Sequence, residues 1–246
     1  FIKQKCGEQK KNYNHMLHDL LLSTIGCFYP VPPQLQPHLN FISQDFMYDL
    51  VMGTNTGGNE EGHKLKPTDF EFFATEGAAA GILYVFNTLK ENYLLKPGDT
   101  IAIITPIFSP YLEMPRLADY DLNIVELKGN PEKNYSLDDD EINKLRDKKV
   151  KGLFMVNPSN PGAYSLPKEN IETIGHLINT ERPDIFVLSD SVYAPFARQY
   201  NSFMLSCPKN TIEVYSLSKY FGTTGWRLGL VMMPKDTNLN KMIANV

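Results

Sequence analysis

Cysteine is scarce in this sequence, and the three present, Cys6, Cys27 and Cys207, stand far apart. An odd and scattered set excludes a disulfide framework and has no paired spacing for a zinc site, so free thiols in a reducing compartment such as the cytoplasm are expected. His15 and His18 are three residues apart without a further ligand at metal spacing, and they read as surface or packing histidines; no metal is expected. Long apolar runs are missing too. The longest, residues 81–86 and 228–233, fall far short of the roughly 20 residues that cross a bilayer. No basic cluster is present, and 24 Lys and Arg against 28 Asp and Glu leave a net charge of −4. That balance argues against nucleic-acid binding as the main task. Repeats, low-complexity tracts and targeting segments are likewise lacking.

What remains is an ordinary globular composition, 42% hydrophobic over 246 residues, enough for a sizeable core. The first residue is not Met and the last residues, to Val246, read as helical, so a piece of a longer chain is expected. Residues 1–68 read as a peripheral segment of helices and loops. Helical spacing marks 13–22, prolines make 30–37 extended, 41–51 reads as an aromatic-rich amphipathic helix, and 54–66 reads as a glycine-rich loop. From Asp69 the pattern changes to strand–turn–helix alternation. Strands are expected over 70–74, 101–105, 123–127, 150–156, 185–188, 211–215 and 228–233. A helix after Gly77 presents Ile82, Val85, Phe86, Leu89 and Tyr93 on one stripe, and Pro167 opens another that buries Ile171, Ile174, Leu177 and Ile178. The run Asp138-Asp-Asp-Glu141 resembles a capping box opening a helix to Arg146.

Polar residues gather where these strands end, which is where ligands sit in open α/β sheets. The run Ser216-Leu-Ser-Lys-Tyr-Phe-Gly-Thr-Thr-Gly-Trp-Arg-Leu-Gly229 lies between the last two strands. A lysine buried on such a turn sheds its proton readily, and a neutral amine forms Schiff bases with carbonyls. Arg227, eight residues on, offers a planar fork for phosphate, and Ser216 and Ser218 offer hydroxyls. Lysine plus phosphate clamp suggests pyridoxal phosphate. Ser216-x-x-Lys219 also fits a serine nucleophile motif, but the Lys-Thr-Gly and Ser-Asp-Asn partners of that motif are absent. Gly77 and Ala78 fall at a helix N-terminus suited to phosphate. Asn157-Pro-Ser-Asn-Pro161 ends one strand and Ser189-Asp-Ser-Val-Tyr193 the next. Asp190 suits a protonated ring nitrogen, and Asn160 and Tyr193 suit a phenolate oxygen, although Asn-Pro pairs and an Asp after a strand also serve as simple turn and cap residues.

As a set, Asn157-Pro-x-Asn160-Pro, Asp190-x-x-Tyr193 and Ser216-x-x-Lys219 with Arg227 resemble the fold-type-I, aspartate-aminotransferase-like pyridoxal-phosphate enzymes. The resemblance implies a three-layer α/β/α sandwich with a mostly parallel central sheet, over residues 69–246. It implies Lys219 as Schiff-base lysine and general acid/base, and Asp190 at the pyridine nitrogen. Asn160 and Tyr193 would meet the ring oxygen, Gly77, Ala78, Ser216 and Arg227 the phosphate, and Phe108 would stack on the ring. It further implies amino-acid and keto-acid substrates, a second domain beyond this sequence that binds the substrate α-carboxylate, and a homodimer or larger homo-oligomer. Phe73-Ala-Thr-Glu-Gly77, Pro106-Ile-Phe-Ser-Pro-Tyr111 and Val214-to-Gly229 are similar to the family members that both transaminate and 4-decarboxylate aspartate. Ser191, where those members often carry an acid, and Ala78-Ala79, in place of a Gly-Thr pair, depart from them. A plain aminotransferase and a cofactor-binding piece without turnover remain the alternatives.

Overall fold

The computed structural model describes residues 39–53, 65–198 and 200–238. Its strands are β1 (Phe70–Thr75), β2 (Thr100–Thr105), β3 (Asn123–Lys128), β4 (Val150–Val156), β5 (Phe186–Asp190), β6 (Thr211–Ser216) and β7 (Gly229–Pro234). They form one sheet in the order β1-β7-β6-β5-β4-β2-β3. Neighbours from β3 to β6 run parallel, whereas β7 is antiparallel to both β6 and β1. The helices are α1 (Leu39–Tyr48), extended by a π-helical turn (Asp49–Gly53), then α2 (Ala78–Glu91), α3 (Ser109–Glu113), α4 (Asp139–Asn143), α5 (Lys168–Thr180) and α6 (Phe203–Ser206).

Alternate residues of each strand face opposite sides, and both sides are covered. Ile101, Ile103, Phe154, Leu188 and Val214 meet Ile82, Val85, Phe86 and Leu89 of α2. Ala102, Ile104, Leu153, Met155 and Val187 meet Ile142 of α4 and Ile171, Ile174, Leu177 and Ile178 of α5. Met47, Leu50 and Val51 cover Tyr215, Leu230 and Met232 at the β6–β7 end. Each such aliphatic side chain contributes roughly 1.5–3 kcal/mol on burial. The mostly parallel sheet with helices on both faces is the α/β sandwich expected from the alternation and the three-layer architecture that the resemblance implies.

Two local expectations are corrected. Tyr93 is not on the buried stripe: it lies past the end of α2 in a left-handed conformation, φ 58°, with its ring 63% exposed. The capping box does not form either. Asp138 takes the N-cap position of α4, but its carboxylate accepts from Lys133 Nζ at 2.5 Å and Asn130 Nδ2 at 3.2 Å. Glu141 accepts from the Lys128 N–H at 2.7 Å and Lys144 Nζ at 2.6 Å. Each carboxylate has a lysine ammonium, Lys133 or Lys144, whose charge-assisted bond is stronger than one from the neutral N–H groups of the helix start. The helix also stops at Asn143, and residues 144–146 form a 3-10 turn. The expected 13–22 helix, the histidine pair, the proline segment, most of the 54–66 loop and the helix running to Val246 lie outside the described residues. Cys207 is buried, which pushes its thiol up to about 12. Among the described residues no helix is long and apolar enough to cross a membrane, and no group of three His, Cys, Asp or Glu is placed to hold a metal.

A buried arginine closes the edge of the sandwich where the parallel strands begin. Arg182 follows α5 and donates to the carbonyls of Leu145 and Asp147 at 2.6 Å and of Val150 at 2.7 Å. Its remaining donors reach both oxygens of Asp184, at 2.9 and 2.8 Å. One guanidinium thus joins α5, the turn after α4 and the start of β4. Arg182→Ala leaves several buried carbonyls without partners and should cost about 3 kcal/mol. Urea unfolding followed by circular dichroism measures it; a loss under about 1 kcal/mol would mean that water replaces the side chain.

Candidate active site

Strands β2, β4, β5 and β6 are parallel, so their C-terminal ends share one edge of the sheet, and a cleft of about 230 Å³ opens there. Its walls include Ala78, Phe108, Asn160, Asp190, Tyr193, Ser216, Lys219 and Arg227. The structure therefore brings together eight of the nine site residues expected from the sequence. The ninth, Gly77, lies directly behind Arg227.

One pole of the cleft is built for an anion. Helix α2 starts at Ala78 without a side-chain cap, which leaves the first backbone N–H groups free of intrahelical partners. Gly77 has φ 106°, and a Cβ placed there would lie 2.6 Å from Arg227 Nη2, so only glycine lets the guanidinium close on the helix start. Arg227 is itself left-handed, φ 49°, and is held by bonds to the carbonyls of Thr224 at 2.9 Å and Glu76 at 2.8 Å. The antiparallel strand β7 causes this convergence. Its first residue, Gly229, pairs with Thr75 at the end of β1 and with Ser216 at the end of β6. Three distant segments, ending in Gly77, Ser216 and Arg227, meet for that reason.

The other pole holds a desolvated acid. Asp190 ends β5 fully buried, and its Oδ1 accepts from the Val192 N–H at 3.0 Å while Oδ2 accepts from Tyr111 Oη at 2.9 Å. Burial pushes the carboxyl up to about 6, and the two hydrogen bonds offset only part of that. The Tyr111 phenol is raised well above its ordinary value, first by burial and then by the Asp190 charge. Between the poles, Asn160 Nδ2 points to Tyr193 Oη at 3.4 Å. Burial, and then Asp190, also raises Tyr193. Phe108 is 42% exposed at the mouth and meets Tyr111 edge-on at 5.4 Å, so it is not a core residue.

Lys219 corrects one expectation. It lines the cleft, but its side chain is exposed, whereas the sequence suggested burial between two strands. The turn carries it outward: β6 stops at Ser216, the Ser216 hydroxyl accepts from the Ser218 N–H at 3.1 Å, and the Gly222 N–H returns to the Lys219 carbonyl at 3.2 Å. Ser218 also lines the cleft, and Ala79, Tyr111, Val156, Val192 and Thr224 complete the walls without a sequence signal that marks them as site residues. Tyr111 stands three residues after Phe108, in a motif already singled out, but its partner is 79 residues away and no local pattern marks the contact.

The donor set fits pyridoxal phosphate. An uncapped helix start with arginine and serine suits its phosphate. A buried carboxyl without a cation among its contacts suits a ring nitrogen that carries a proton.

The chain is similar to known proteins in sequence and in fold. Residues 56–245 match the family described as aminotransferase class I and II. A bifunctional aspartate aminotransferase and L-aspartate beta-decarboxylase from Pseudomonas is 39% identical over 220 residues, covering 89% of this chain and 40% of that protein. An aspartate aminotransferase from Pyrococcus horikoshii is 33% identical over 166 residues, 66% of this chain and 40% of that one. Among solved structures, a double mutant of the Thermus thermophilus aspartate aminotransferase superposes with a TM-score of 0.60 at 26% identity, over 74% of this chain and 44% of that one. A PLP-dependent aminotransferase from Streptococcus suis shares the fold at a TM-score of 0.63 and 17% identity, over 100% of this chain and 57% of that one. The chain spans about 40% of the length of the curated relatives it matches.

The Asp190 carboxyl makes the cofactor-free protein sensitive to pH. Its folded value of about 6 lies above the ordinary 3.8, so its contribution to stability is full below about pH 4 and is lost as pH rises through 6. Unfolding at a series of pH values should show wild type losing roughly 1–3 kcal/mol relative to Asp190→Asn between pH 4 and pH 7.5. Tyr111→Phe removes a donor to the carboxylate and should extend the loss to higher pH. Parallel curves for wild type and Asp190→Asn would show that Asp190 is not desolvated.

Proposed function

The chain belongs to the class I and II aminotransferases, and on that premise we propose that residues 69–246 form the cofactor-binding domain of an enzyme that acts on L-aspartate. It releases the 4-carboxylate as carbon dioxide to leave L-alanine, and transaminates aspartate with a keto acid as a side reaction. The observation that carries this reading is the cleft itself, with a desolvated acid at one pole, an anion seat at the other and Lys219 on its wall. Aspartate and decarboxylation are supported by the two activities named for the Pseudomonas relative, which aligns with 89% of this chain. A plain aminotransferase is the second reading, supported by relatives such as the Pyrococcus enzyme. A second domain beyond this sequence for the substrate α-carboxylate, a homo-oligomer and a cytoplasmic setting belong to the same proposal.

The cofactor is pyridoxal 5'-phosphate. When bound, it supplies a carbonyl carbon for an amine and a ring that takes up electrons released at the substrate. The residues of this chain do the rest in this reading. The N–H groups at the start of α2, the Ser216 hydroxyl and the Arg227 guanidinium hold the phosphate. Asp190 keeps a proton on the ring nitrogen: a cation at hydrogen-bond distance brings its carboxyl back to the ionised form that burial alone disfavours. Asn160 and Tyr193 would donate to the ring oxygen, and Phe108, at the mouth of the cleft, would shield the ring from water. Lys219 Nζ would be the amine that holds the cofactor carbonyl, and as a free base it would take the proton from the substrate Cα and return it later.

Lys219→Ala should fold normally and lose the yellow, borohydride-trappable linkage to pyridoxal phosphate. Peptide mapping that finds the label on another lysine would sink the assignment. For the reaction, the full-length enzyme is incubated with aspartate and no keto acid. Alanine and carbon dioxide should form over many turnovers. Oxaloacetate in an amount equal to the enzyme, with turnover resuming only when 2-oxoglutarate is added, would leave a plain aminotransferase. Absence of any yellow linkage would leave a protein that turns nothing over.

A further inference from the structure

A second buried acid lies behind the cleft, on the opposite face of the sheet. Leu188 of β5 and Val214 of β6 face α2, and by strand alternation so do Asp190 and Ser216. Ser189 and Glu213 therefore face away. They are direct partners in the parallel ladder, as are Asp190 and Val214. Glu213 is fully buried, and its carboxyl accepts from Tyr200 Oη at 2.5 Å, Ser202 Oγ at 3.1 Å and Ser189 Oγ at 3.2 Å. The Ser191 hydroxyl also faces it, while bonding the Val214 carbonyl at 3.0 Å. All these partners are hydroxyls, and burial raises the carboxyl to about 7.

An acid held this way is a poor means of filling space. Leucine or methionine of similar volume avoids the desolvation, and a buried polar cluster is tolerated only when each bond is kept. What the cluster does instead is mechanical. Its hydroxyls come from Ser189 and Ser191, the residues on either side of Asp190, and from Tyr200 and Ser202, on the chain returning toward β6. One carboxyl thus pins the end of β5 to β6 at the level of Asp190.

We propose that Glu213 is a positioning residue for Asp190, gripping the hydroxyls that bracket it and so setting the depth at which its carboxyl enters the cleft. The inference rests on the reading of Asp190 as the partner of the ring nitrogen. The test uses the full-length chain with pyridoxal phosphate as the probe, and three readouts: its dissociation constant, the pH midpoint of the yellow absorbance band, and circular dichroism for the fold. Glu213→Gln keeps hydrogen-bonding capacity and should bind within about twofold of wild type, whereas Glu213→Leu should weaken binding about tenfold and move the midpoint. Ser189→Ala, which deletes a single hydroxyl and keeps the fold, should act in the same direction as Glu213→Leu and carries the test if the leucine variant does not fold. Folded variants of either kind with wild-type affinity and an unmoved midpoint, beside an Asp190→Ala that loses both, overturn the role of Glu213 alone. An Asp190→Ala that binds and titrates like wild type overturns the reading of Asp190 and this inference with it.

Discussion

Asp190 gives up its water at the end of a central strand, and the cleft is organised around that loss. A carboxyl buried so deeply must find donors or a cation, because in an apolar surround its ionised form is strongly disfavoured. The protein supplies two donors, from Tyr111 and from the backbone of Val192, and they do not bring the acid back to its ordinary range. The residual deficit leaves the carboxyl with room for a cationic partner, the role proposed for a ring nitrogen. Several features keep Asp190 dry: the parallel neighbours on either side, the edge-on pair of Phe108 and Tyr111, and the aromatic contact of Tyr111 with Phe154.

The anion pole depends on a different constraint, which is strand direction. If β7 ran parallel to β6, Arg227 would leave the sheet at the opposite edge from Ser216. Because β7 runs antiparallel and is inserted between β1 and β6, its start lies beside the ends of both. The glycines at 77 and 229 then allow contact: a Cβ at Gly229 would come within 2.7 Å of the Gly77 carbonyl carbon, and one at Gly77 would strike Arg227. The convergence of three separate segments, the seat proposed for the phosphate, follows from one reversed strand and two missing methyl groups. The two faces of the sheet divide the labour further, with Asp190 and Ser216 toward the cleft and Glu213 with its hydroxyls behind.

Much of this was legible in the sequence, and the reasons are local. Helix α5 shows its buried face through 3.6-residue spacing, and the strands show theirs through short apolar runs between turns. The polar residues after β4, β5 and β6 fall at one edge in any parallel sheet, so Asn160, Asp190, Tyr193, Ser216 and Lys219 could be grouped before their coordinates were known. Arg227 and Gly77 joined them through chemistry suited to phosphate. What sequence determined by itself was the fold class, the strand ends and the residue types offered there.

Tertiary structure alone decided which of those residues have partners and which stand open. The Tyr111–Asp190 bond spans 79 residues and leaves no periodic trace. Glu213 sits in Thr211-Ile-Glu-Val-Tyr215, where alternation with apolar neighbours suggests a solvent-facing acid; only a sheet covered on both faces makes it buried. Lys219 went the other way, since the direction in which a turn leaves a strand depends on hydrogen bonds closed across it. Asp138 and Glu141 had capping-box spacing, yet the ammonium groups of Lys133 and Lys144 hold their carboxylates. For Asp190, Tyr111 and Glu213 the deciding quantity was desolvation, which depends on what packs nearby in space, whereas periodicity records only what is near along the chain.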